Sequence, residues 1–311
     1  MARVLITGAS GLLGANLVLA ARPQDEVVAV YHQHPIERSG VRCLSADLSQ
    51  PGVADSIIGD MAPDWVVHCA AATDVDACDR DPEWAARLNR DMAGWVARAA
   101  AEAGARIAHI STDAVFDGTL APHTEEEPAS PVNVYGRTKL EGEQAVLAAH
   151  PGAAVVRTNL FGWNAQQKSG LAEWFLGRLA KGEPCPGFSD VTFNPIQAAN
   201  MADWLWRVLD AGLEGIWHLG GGTCLSKFEF GVKLAEAFDL DPELVHPVSV
   251  AQASLAAVRP KGLCLDSSRI ERDLGAALPS IDEGIEVLRA MDLDGRRAEL
   301  WAMASVPAGS A

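Results

Sequence analysis

Short apolar runs alternate with longer stretches of mixed hydrophobic and polar residues through the first half of the chain. The short runs predict buried strands, and the longer stretches, such as Leu12–Ala21 and Pro82–Ala103, predict helices between them. The apolar runs are Val4–Ile6, Val27–Val30, Val41–Leu44, Trp65–Cys69, Arg106–Ile110 and Ala154–Val156. This alternation indicates βαβ units, so we expect an α/β fold with a doubly wound parallel sheet that is covered by helices on both faces.

The pattern becomes less regular beyond residue 159. Further helices are predicted near Leu171–Ala180, Ala198–Ala211 and Lys227–Phe238. We therefore expect a larger domain and a smaller C-terminal lobe that is partly interleaved with it. The expected bounds are 1–159 with roughly 196–222 for the domain, and 160–195 with 223–311 for the lobe. Small residues at the end of segment 291–311 predict a loosely held tail.

The composition is ordinary for a globular enzyme, with 49% hydrophobic and 21% charged residues among 311. A net charge of −16 repels a phosphate backbone, so we expect no nucleic-acid partner. No apolar run approaches the roughly 20 residues of a membrane helix. The first residues read as a buried strand and not as a signal peptide, which predicts a cytoplasmic protein without a membrane partner.

The cysteines are scattered, and no two of them form a Cys-x-x-Cys pair. That spacing argues against a zinc site and against a disulfide framework. We expect no bound metal and six reduced thiols, at Cys43, Cys69, Cys78, Cys185, Cys224 and Cys264.

A glycine-rich turn follows the first predicted strand directly and reads Thr7-Gly8-Ala9-Ser10-Gly11-Leu12-Leu13-Gly14. Glycines at this spacing allow a tight turn, close approach of backbone N–H groups to a pyrophosphate, and close packing of helix on strand. The spacing alone is a weak signal, but its place between strand and helix makes it specific. The larger domain is therefore predicted to bind a dinucleotide, which leaves the smaller lobe for the substrate.

The end of the second strand indicates which dinucleotide to expect. The chain reads Tyr31-His32-Gln33-His34 there, without the acid that binds the ribose 2′-hydroxyl of NAD. NADP is therefore favoured and NAD remains an alternative, with Arg38, Arg42 or a histidine as partners for a 2′-phosphate. Asp47-Leu48, after the third strand, places a carboxylate either beside the adenine amino group or at the cap of a helix near Pro51.

Strands four and five also end in residues suited to a ligand. Strand four is followed by Cys69-Ala70-Ala71-Ala72-Thr73, whose small side chains permit close passage of a cofactor or simply close core packing. Strand five is followed by Ser111-Thr112-Asp113, at the sheet edge where such folds bind ligands. Thr112 is either a donor to a substrate carbonyl oxygen or a capping residue.

Tyr135 and Lys139 are the strongest chemical signal. The chain has two tyrosines and six lysines, so chance rarely produces a Tyr-x-x-x-Lys spacing. The segment predicts a helix entered through Ser130-Pro131, with phenol and ammonium on one face. A cation beside the phenol lowers its pKa and makes it a better general acid. The alternative is a surface helix with an incidental tyrosine.

Taken together, these motifs resemble the extended short-chain dehydrogenase/reductase superfamily. More narrowly, Ser-Thr-Asp-x-Val-Phe-x-Gly from Ser111 and Pro-x-Asn-Val-Tyr-Gly-x-Thr-Lys-Leu-x-Gly-Glu from Pro131 resemble the dTDP-4-dehydrorhamnose reductase family. Arg157-Thr158, Arg259-Pro260 and Leu265-Asp266 extend the similarity over most of the chain. The resemblance implies a Rossmann sheet, NADP or NAD as cofactor, and reduction of the 4-keto group of a nucleotide-diphosphate deoxysugar.

The resemblance also implies roles for individual residues. Thr112 orients the carbonyl oxygen, Tyr135 protonates it, and Lys139 lowers the phenol pKa and holds the nicotinamide ribose. The cofactor would contact Gly8, Ser10, Gly11, Leu12, Leu13, Gly14, Tyr31, His32, Asp47, Leu48, Cys69, Ala70, Ala71, Thr73, Tyr135 and Lys139. The substrate would contact Val75, Thr112, Asp113, Ala114, Val115, Phe116, Asn159 and Arg259, with Arg259 as a diphosphate ligand.

The chain departs from the family pattern at the sugar pocket. Ala114 stands where members usually carry tyrosine, and Leu160-Phe161-Gly162 replaces an aromatic Trp-Val-Tyr stretch. Asn16 stands where some members have an acidic metal ligand, so the resemblance implies no metal here. These changes leave the identity of the sugar open.

Three other activities share parts of the pattern. Nucleotide-sugar dehydratases have a glutamate where this chain has Ala114, so the carboxylate that removes a proton is missing and dehydration is disfavoured. Nucleotide-sugar epimerases share the Tyr-x-x-x-Lys motif and remain an alternative. The regulatory beta subunit of methionine adenosyltransferase has stretches similar to Ser226-Lys227-Phe228-Glu229-Phe230 and Arg259-Pro260-Lys261, so a non-catalytic NADP-binding partner protein is a further alternative. A homodimer and a monomer with solvated acidic helices both fit the fold.

Overall fold

The computed structural model describes residues 2–119, 121–166, 169–253 and 255–304. Its strands are β1 (Arg3–Thr7), β2 (Glu26–Tyr31), β3 (Arg42–Ser45), β4 (Trp65–His68), β5 (Arg106–Thr112), β6 (Ala154–Thr158), β7 (Leu160–Phe161), β8 (Cys185–Phe188), β9 (Thr192–Phe193), β10 (Ile196–Gln197), β11 (Gly215–His218), β12 (Leu225–Ser226) and β13 (Val245–Val248). Its α-helices are α1 (Leu12–Leu19), α2 (Val53–Met61), α3 (Val75–Arg80), α4 (Pro82–Ala86), α5 (Met92–Glu102), α6 (Val134–Ala149), α7 (Leu171–Leu179), α8 (Ala198–Ala211), α9 (Lys227–Ala237), α10 (Ser268–Leu274), α11 (Ile281–Leu293) and α12 (Arg296–Ala304).

Seven strands form one parallel sheet in the order β11-β6-β5-β4-β1-β2-β3. The order reverses at β1, because the chain moves outward to β2 and β3 on one side and then returns to β4 on the other. Such a reversal opens a crevice beyond the carboxyl ends of the central strands, where doubly wound sheets bind ligands. The predicted α/β fold with a doubly wound parallel sheet is confirmed.

Both faces of the sheet are buried, which explains why its strands are continuously apolar. Successive residues of β1 point to opposite sides, so Val4 and Ile6 join one core and Leu5 joins another. The first core also contains residues of α1 and α8, and the second contains residues of α2 and α5. Two layers of helices therefore hold the sheet edge rigid where the site is built.

A third hydrophobic core forms the lobe beyond the sheet. It contains Phe161, Phe175 and Phe230, whose rings meet edge to face, together with residues of α7, α9 and α11. Three small strand pairs, β10 with β7, β12 with β9 and β13 with β8, brace this lobe. The intervening β11 returns to the main sheet and pairs with β6.

Two expectations about the chain's ends and cysteines are wrong. Segment 291–304 is not a loose tail, because α12 buries Leu300 and Met303 and Arg297 lies 3.7 Å above the Trp163 ring. Residues 305–311 lie outside the described part of the chain. Cys224 and Cys264 form a disulfide with a Cα–Cα distance of 5.7 Å. They are 40 residues apart, so only the tertiary fold reveals that they are neighbours.

The long helix expected at residues 82–103 is interrupted. A π-helical turn at Arg87–Asp91 separates α4 from α5 and brings the backbone of Asn89 against α6. Gly142 of α6 has no room for a side chain there, because a Cβ would lie 2.1 Å from the Asn89 carbonyl oxygen. The interruption lets α6, which carries the Tyr135/Lys139 pair, pack closely on its neighbour.

Among the described residues, no helix has both the length and the apolar character that crossing a membrane requires.

Candidate active site

A cleft of ≈ 690 Å³ lies at the carboxyl ends of the central strands. It contains most of the residues that the sequence singled out. Those that line it are Gly8, Ser10, Gly11, Leu12, Leu13, Gly14, Tyr31, His32, Asp47, Leu48, Cys69, Ala70, Ala71, Thr73, Val75, Thr112, Asp113, Ala114, Tyr135, Lys139, Asn159 and Arg259. The glycine turn, the strand ends and the Tyr-x-x-x-Lys helix thus meet in one place, although 131 residues separate Gly8 from Lys139.

The backbone around the glycine turn packs so closely that side chains at Gly8 and Gly14 would clash with it. Gly8 has φ +63°, and a Cβ on it would lie 2.6 Å from the Ala70 backbone nitrogen. A Cβ on Gly14 would lie 2.3 Å from the Gly8 carbonyl oxygen. These contacts explain why glycine is required at both positions. Gly8 permits the left-handed turn beside β4, and Gly14 permits α1 to pack against that turn.

Helix α1 begins at this turn and points its N-terminus into the cleft. Its N-cap residue is Gly11, no side chain caps it, and its first turn has no acid. The first backbone N–H groups and the positive end of the helix dipole are therefore available to an anion. A dinucleotide pyrophosphate fits this arrangement, because the glycine cradle admits its phosphates close to the backbone.

The ribose end of the cleft is lined by Tyr31, His32, Gln33 and His34, and no acid follows β2. Arg38 instead lies 3.9 Å from Glu299 of α12, and Arg42 is at the amino end of β3, away from the cleft. Of the three partners expected for a 2′-phosphate, only the histidines stand at the cleft wall.

Asp47 also lines the cleft, and its role as a helix cap is not seen. Its carboxylate accepts hydrogen bonds from the Ser49 backbone nitrogen and from the side chains of Ser49 and Gln50. Helix α2 instead begins after Gly52, without a side-chain cap. The carboxylate is thus held rigidly at the wall of the cleft.

Helix α6 starts later than expected and is fixed at its first turn. Its N-cap is Asn133, not Ser130-Pro131, and the Asn133 side chain accepts from the Gly136 backbone nitrogen at 2.8 Å. A Cβ on Gly136 would lie 2.1 Å from the Ala114 carbonyl oxygen. Gly136 therefore lets α6 press against the turn that follows β5, which places Tyr135 beside Thr112.

Tyr135 is half-buried at the cleft wall, next to Thr112. Burial raises the pKa of Tyr135 to about 12, the nearby Asp113 acts in the same direction, and a hydrogen bond with Thr112 opposes them. The sequence predicted the opposite direction, with Lys139 lowering this pKa. The difference arises because Lys139 is held elsewhere, by the Ile110 carbonyl oxygen, while a buried carboxyl lies close to the phenol.

Lys139 is almost completely buried and is held by the sheet. Its Nζ donates to the Ile110 carbonyl oxygen at 2.8 Å and lies 3.5 Å from Nε2 of His109. Burial lowers the pKa of Lys139 to about 8, and Glu143 one turn further along α6 opposes that effect. At neutral pH the side chain is therefore still an ammonium.

Asp113 is the buried carboxyl of the site, with 2% of its surface exposed. Asn159 donates to its Oδ2 at 2.6 Å and Thr112 donates to its Oδ1 at 3.0 Å. Burial nevertheless raises the pKa of Asp113 to about 6. The two hydrogen bonds fix the carboxyl beside Thr112, at the point where β5 and β6 end.

Val115 and Phe116 do not line the cleft, so their prediction as substrate contacts is corrected. After Thr112 the chain enters a 3₁₀ turn that directs both side chains into the protein. The Phe116 ring stacks on His123 with 4.2 Å between ring centres, and both side chains pack with Leu265. Asp113 and Ala114, the first two residues of this turn, line the cleft.

Two residues of the site were not singled out for it from the sequence. The Asn89 side chain donates to the Ala72 carbonyl oxygen and to Oγ1 of Thr138, and so ties the end of β4 to α6. Lys227, the first residue of α9, lines the cleft from the opposite lobe. The sequence offered only weak signals for either, an asparagine within a helical stretch and a lysine at a capped helix start.

A parallel sheet with a glycine turn at its switch point, and a tyrosine and lysine one helical turn apart beside a threonine, define an extended short-chain dehydrogenase/reductase. The model of the RmlD substrate binding domain family matches residues 2–291. The chain belongs to this family.

Curated relatives cover most of the chain. It is 34% identical to a probable low-salt glycan biosynthesis reductase of Haloferax volcanii, over 92% of this chain and 96% of that protein. It is 36% identical to the dTDP-4-dehydrorhamnose reductase of Mycobacterium tuberculosis, over 85% of each. It is also 34% identical to subunit beta of methionine adenosyltransferase 2 from Bos taurus, over 86% of this chain and 81% of that protein.

Solved structures of the same kind superpose well. The dTDP-4-dehydrorhamnose reductase of Bacillus anthracis, solved in complex with NADP, has a TM-score of 0.82 and 26% identity, and the match covers 93% of this chain and 99% of that one. A hypothetical dTDP-4-dehydrorhamnose reductase of Sulfolobus tokodaii has a TM-score of 0.81 and 32% identity, over 90% of this chain and 98% of that one.

Proposed function

We propose that this protein reduces the 4-keto group of a nucleotide-activated deoxysugar with NADPH or NADH. The observation that carries the proposal is the meeting of Thr112, Tyr135 and Lys139 in the cleft that begins at the N-terminus of α1. Two reductases at 34% and 36% identity, each matched over more than four fifths of its length, support the same activity.

The residues present fit a dinucleotide. The glycine cradle and the uncapped start of α1 would hold the pyrophosphate, and Lys139 would hold the nicotinamide ribose. NADPH, when bound, supplies the hydride. The wall formed by Tyr31, His32 and His34, which carries no acid after β2, favours NADPH over NADH.

Proton transfer is the task of Tyr135. A phenol with a pKa of about 12 keeps its proton at neutral pH and is in the acid form that reduction requires. Thr112 orients the substrate oxygen toward it, and the Thr112 hydrogen bond to the phenol favours the phenolate that forms. The buried carboxyl of Asp113, fixed by Asn159 and Thr112, is placed to accept a hydrogen bond from a sugar hydroxyl.

The test is a coupled assay with purified protein and NADPH, in which nucleotide-linked 4-keto deoxysugars are generated in place. Loss of the nicotinamide absorbance with one or more sugars is the expected result, and the ranking of the sugars identifies the substrate. Tight NADPH binding without turnover on any of them would exclude the reductase. Repeating the assay with NADH tests the cofactor preference, which fails if NADH is the better donor.

A second candidate is a non-catalytic partner of methionine adenosyltransferase. The 34% identity to a beta subunit supports it, and so does the similarity of residues 226–230 and 259–261 noted above. The reductase remains the main proposal because every residue of the catalytic set is present and lines the cleft. Binding of a methionine adenosyltransferase catalytic subunit in a pull-down, without any sugar turnover, would favour the second candidate.

We also assign the dinucleotide to residues 1–159 with 196–222, and the substrate to the lobe of residues 160–195 and 223–311. A cytoplasmic location and a homodimer both remain predictions. Fractionation of cells and light scattering of the purified protein test them.

A further inference from the structure

Lys227 is a cation of the cleft wall that the proposed reaction does not use. It is the first residue of α9, and a capping box formed by Ser226 and Glu229 fixes this helix start. Its Nζ lies 5.9 Å from the ring centres of Phe188 and Phe193. In the part of the chain that the structure describes, this ammonium has no hydrogen bond and no carboxylate within 4.0 Å.

A second cation faces the same space. Arg259 also lines the cleft, and it donates to Asp76 at 2.9 Å and to the Ala257 carbonyl oxygen at 3.0 Å. Burial lowers the pKa of Lys227, Asp113 opposes that effect, and the charge of Arg259 acts in the same direction as burial. Two cations thus converge next to the Thr112–Asp113 turn, in a protein whose net charge is −16.

The disulfide fixes both segments. Cys224 stands three residues before Lys227, and Cys264 stands five residues after Arg259. Because the bond joins the two segments directly, it restricts how far the two cations can move apart. A rigid pair of donors binds an anion with a smaller entropy cost than two mobile side chains do.

Lys227 also marks the border between two spaces. It lines the cleft and, on its other side, a second cavity of ≈ 520 Å³ whose walls include Trp174, Phe188 and Leu255. A ligand group at Lys227 would lie between the reacting centre at Thr112 and these apolar walls. An elongated substrate that carries its charge in the middle would match this sequence of reacting centre, cation and apolar walls.

We infer that Lys227 is a further ligand of the substrate diphosphate, next to Arg259, and that it binds the phosphate nearer the sugar. This assignment rests on the proposed function, because it takes the substrate to be a nucleotide-activated deoxysugar. The ammonium lies 5.9 Å from two aromatic ring centres, and a phosphate oxygen supplies the charged partner that it lacks among the described residues.

Calorimetric binding of dTDP to the NADPH-loaded protein tests the inference. Replacing Lys227 with methionine is expected to weaken dTDP binding by roughly 10- to 100-fold, the range for one hydrogen bond to a charged group. Lys227→Arg should restore most of the affinity, and Lys227→Met should flatten the dependence of dTDP affinity on salt concentration. NADPH affinity should stay the same in both variants.

Lys233→Met is the matched control. It lies on the same helix but pairs with Asp282 outside the cleft, so dTDP binding should not change. A Lys227→Met protein that binds dTDP within twofold of wild type would overturn the inference, and so would a wild type that does not bind dTDP. Sugar turnover is measured separately, so a wild type that oxidises NADPH while Lys227→Met binds dTDP normally would refute only this inference.

Discussion

Replacing Asp113 with asparagine should stabilise the protein near neutral pH, although it removes a carboxyl of the site. Asp113 is 2% exposed, and its pKa rises from 3.8 to about 6 on folding. A group whose pKa is raised by folding contributes its stability fully below its unfolded pKa, and that contribution is lost as the pH rises through the native pKa. At pH 7.5 the ionised carboxylate therefore costs the native state free energy.

The size of the effect follows from the two pKa values. A difference of about two pH units, at about 1.4 kcal/mol each, makes the cost about 3 kcal/mol above pH 7. At pH 5 most native molecules are protonated at Asp113, and the cost falls to roughly half of that value. Asparagine is never charged, so its advantage over aspartate should be larger at pH 7.5 than at pH 5, by roughly 1 kcal/mol.

Urea unfolding of wild type and Asp113→Asn, followed by tryptophan fluorescence at both pH values with the disulfide intact, measures this difference. Asp117→Asn is the control, because Asp117 lies in an exposed loop four residues later and hydrogen bonds from Thr119 lower its pKa. It should show no gain at pH 7.5. An Asp113→Asn protein that is less stable than wild type at both pH values, or whose advantage does not grow with pH, would refute the reasoning.

Three further predictions concern helix α6, Lys139 and the disulfide. Gly136→Ala should lower turnover by roughly 100-fold and reduce stability by about 1–3 kcal/mol, because the added Cβ would clash with the Ala114 carbonyl oxygen and displace α6. Steady-state kinetics and thermal melting measure the two effects, and unchanged turnover would contradict the prediction. The pH profile of kcat/KM should fall above about pH 8 as the Lys139 ammonium loses its proton; a profile flat to pH 10 would show that the charge is not needed. Reducing Cys224–Cys264 should lower stability by roughly 2–4 kcal/mol; equal unfolding midpoints with and without a thiol reductant would disprove that contribution.

The fold was predictable because its signals are local. The strands of the main sheet are continuous apolar runs, and that pattern arises because both faces are buried. The glycine turn is recognisable because Gly8 and Gly14 are required by contacts within a few residues or with the next strand. Tyr135 and Lys139 were found for the same reason, since a four-residue spacing on a helix is visible in one dimension.

The parts that escaped prediction depend on distant contacts. The partner of Cys224 is 40 residues away, and the side chain of Asn89 reaches both Ala72 and Thr138 only because a π-turn redirects its helix. Lys227 belongs to the cleft because the lobe folds back over the sheet edge. No pattern along the chain reports these distances.

Two predictions failed on orientation and environment. The residues after Thr112 were all expected to face the substrate, but a 3₁₀ turn directs Val115 and Phe116 into the core and leaves Asp113 and Ala114 at the cleft. The pKa of Tyr135 was expected to be low because Lys139 is near in sequence. The structure shows that burial and Asp113 decide it, because the lysine is bound to the Ile110 carbonyl oxygen.

The most direct test of the central claim is a single-turnover experiment with NADPH deuterated at both C4 positions and the best nucleotide-linked 4-keto sugar, with the product analysed by mass spectrometry. The account predicts one deuterium at C4 of the sugar in wild type, and product formation slower by roughly 100-fold or more in Tyr135→Phe with NADPH affinity unchanged. A sugar without deuterium, or a Tyr135→Phe protein as fast as wild type, would contradict it.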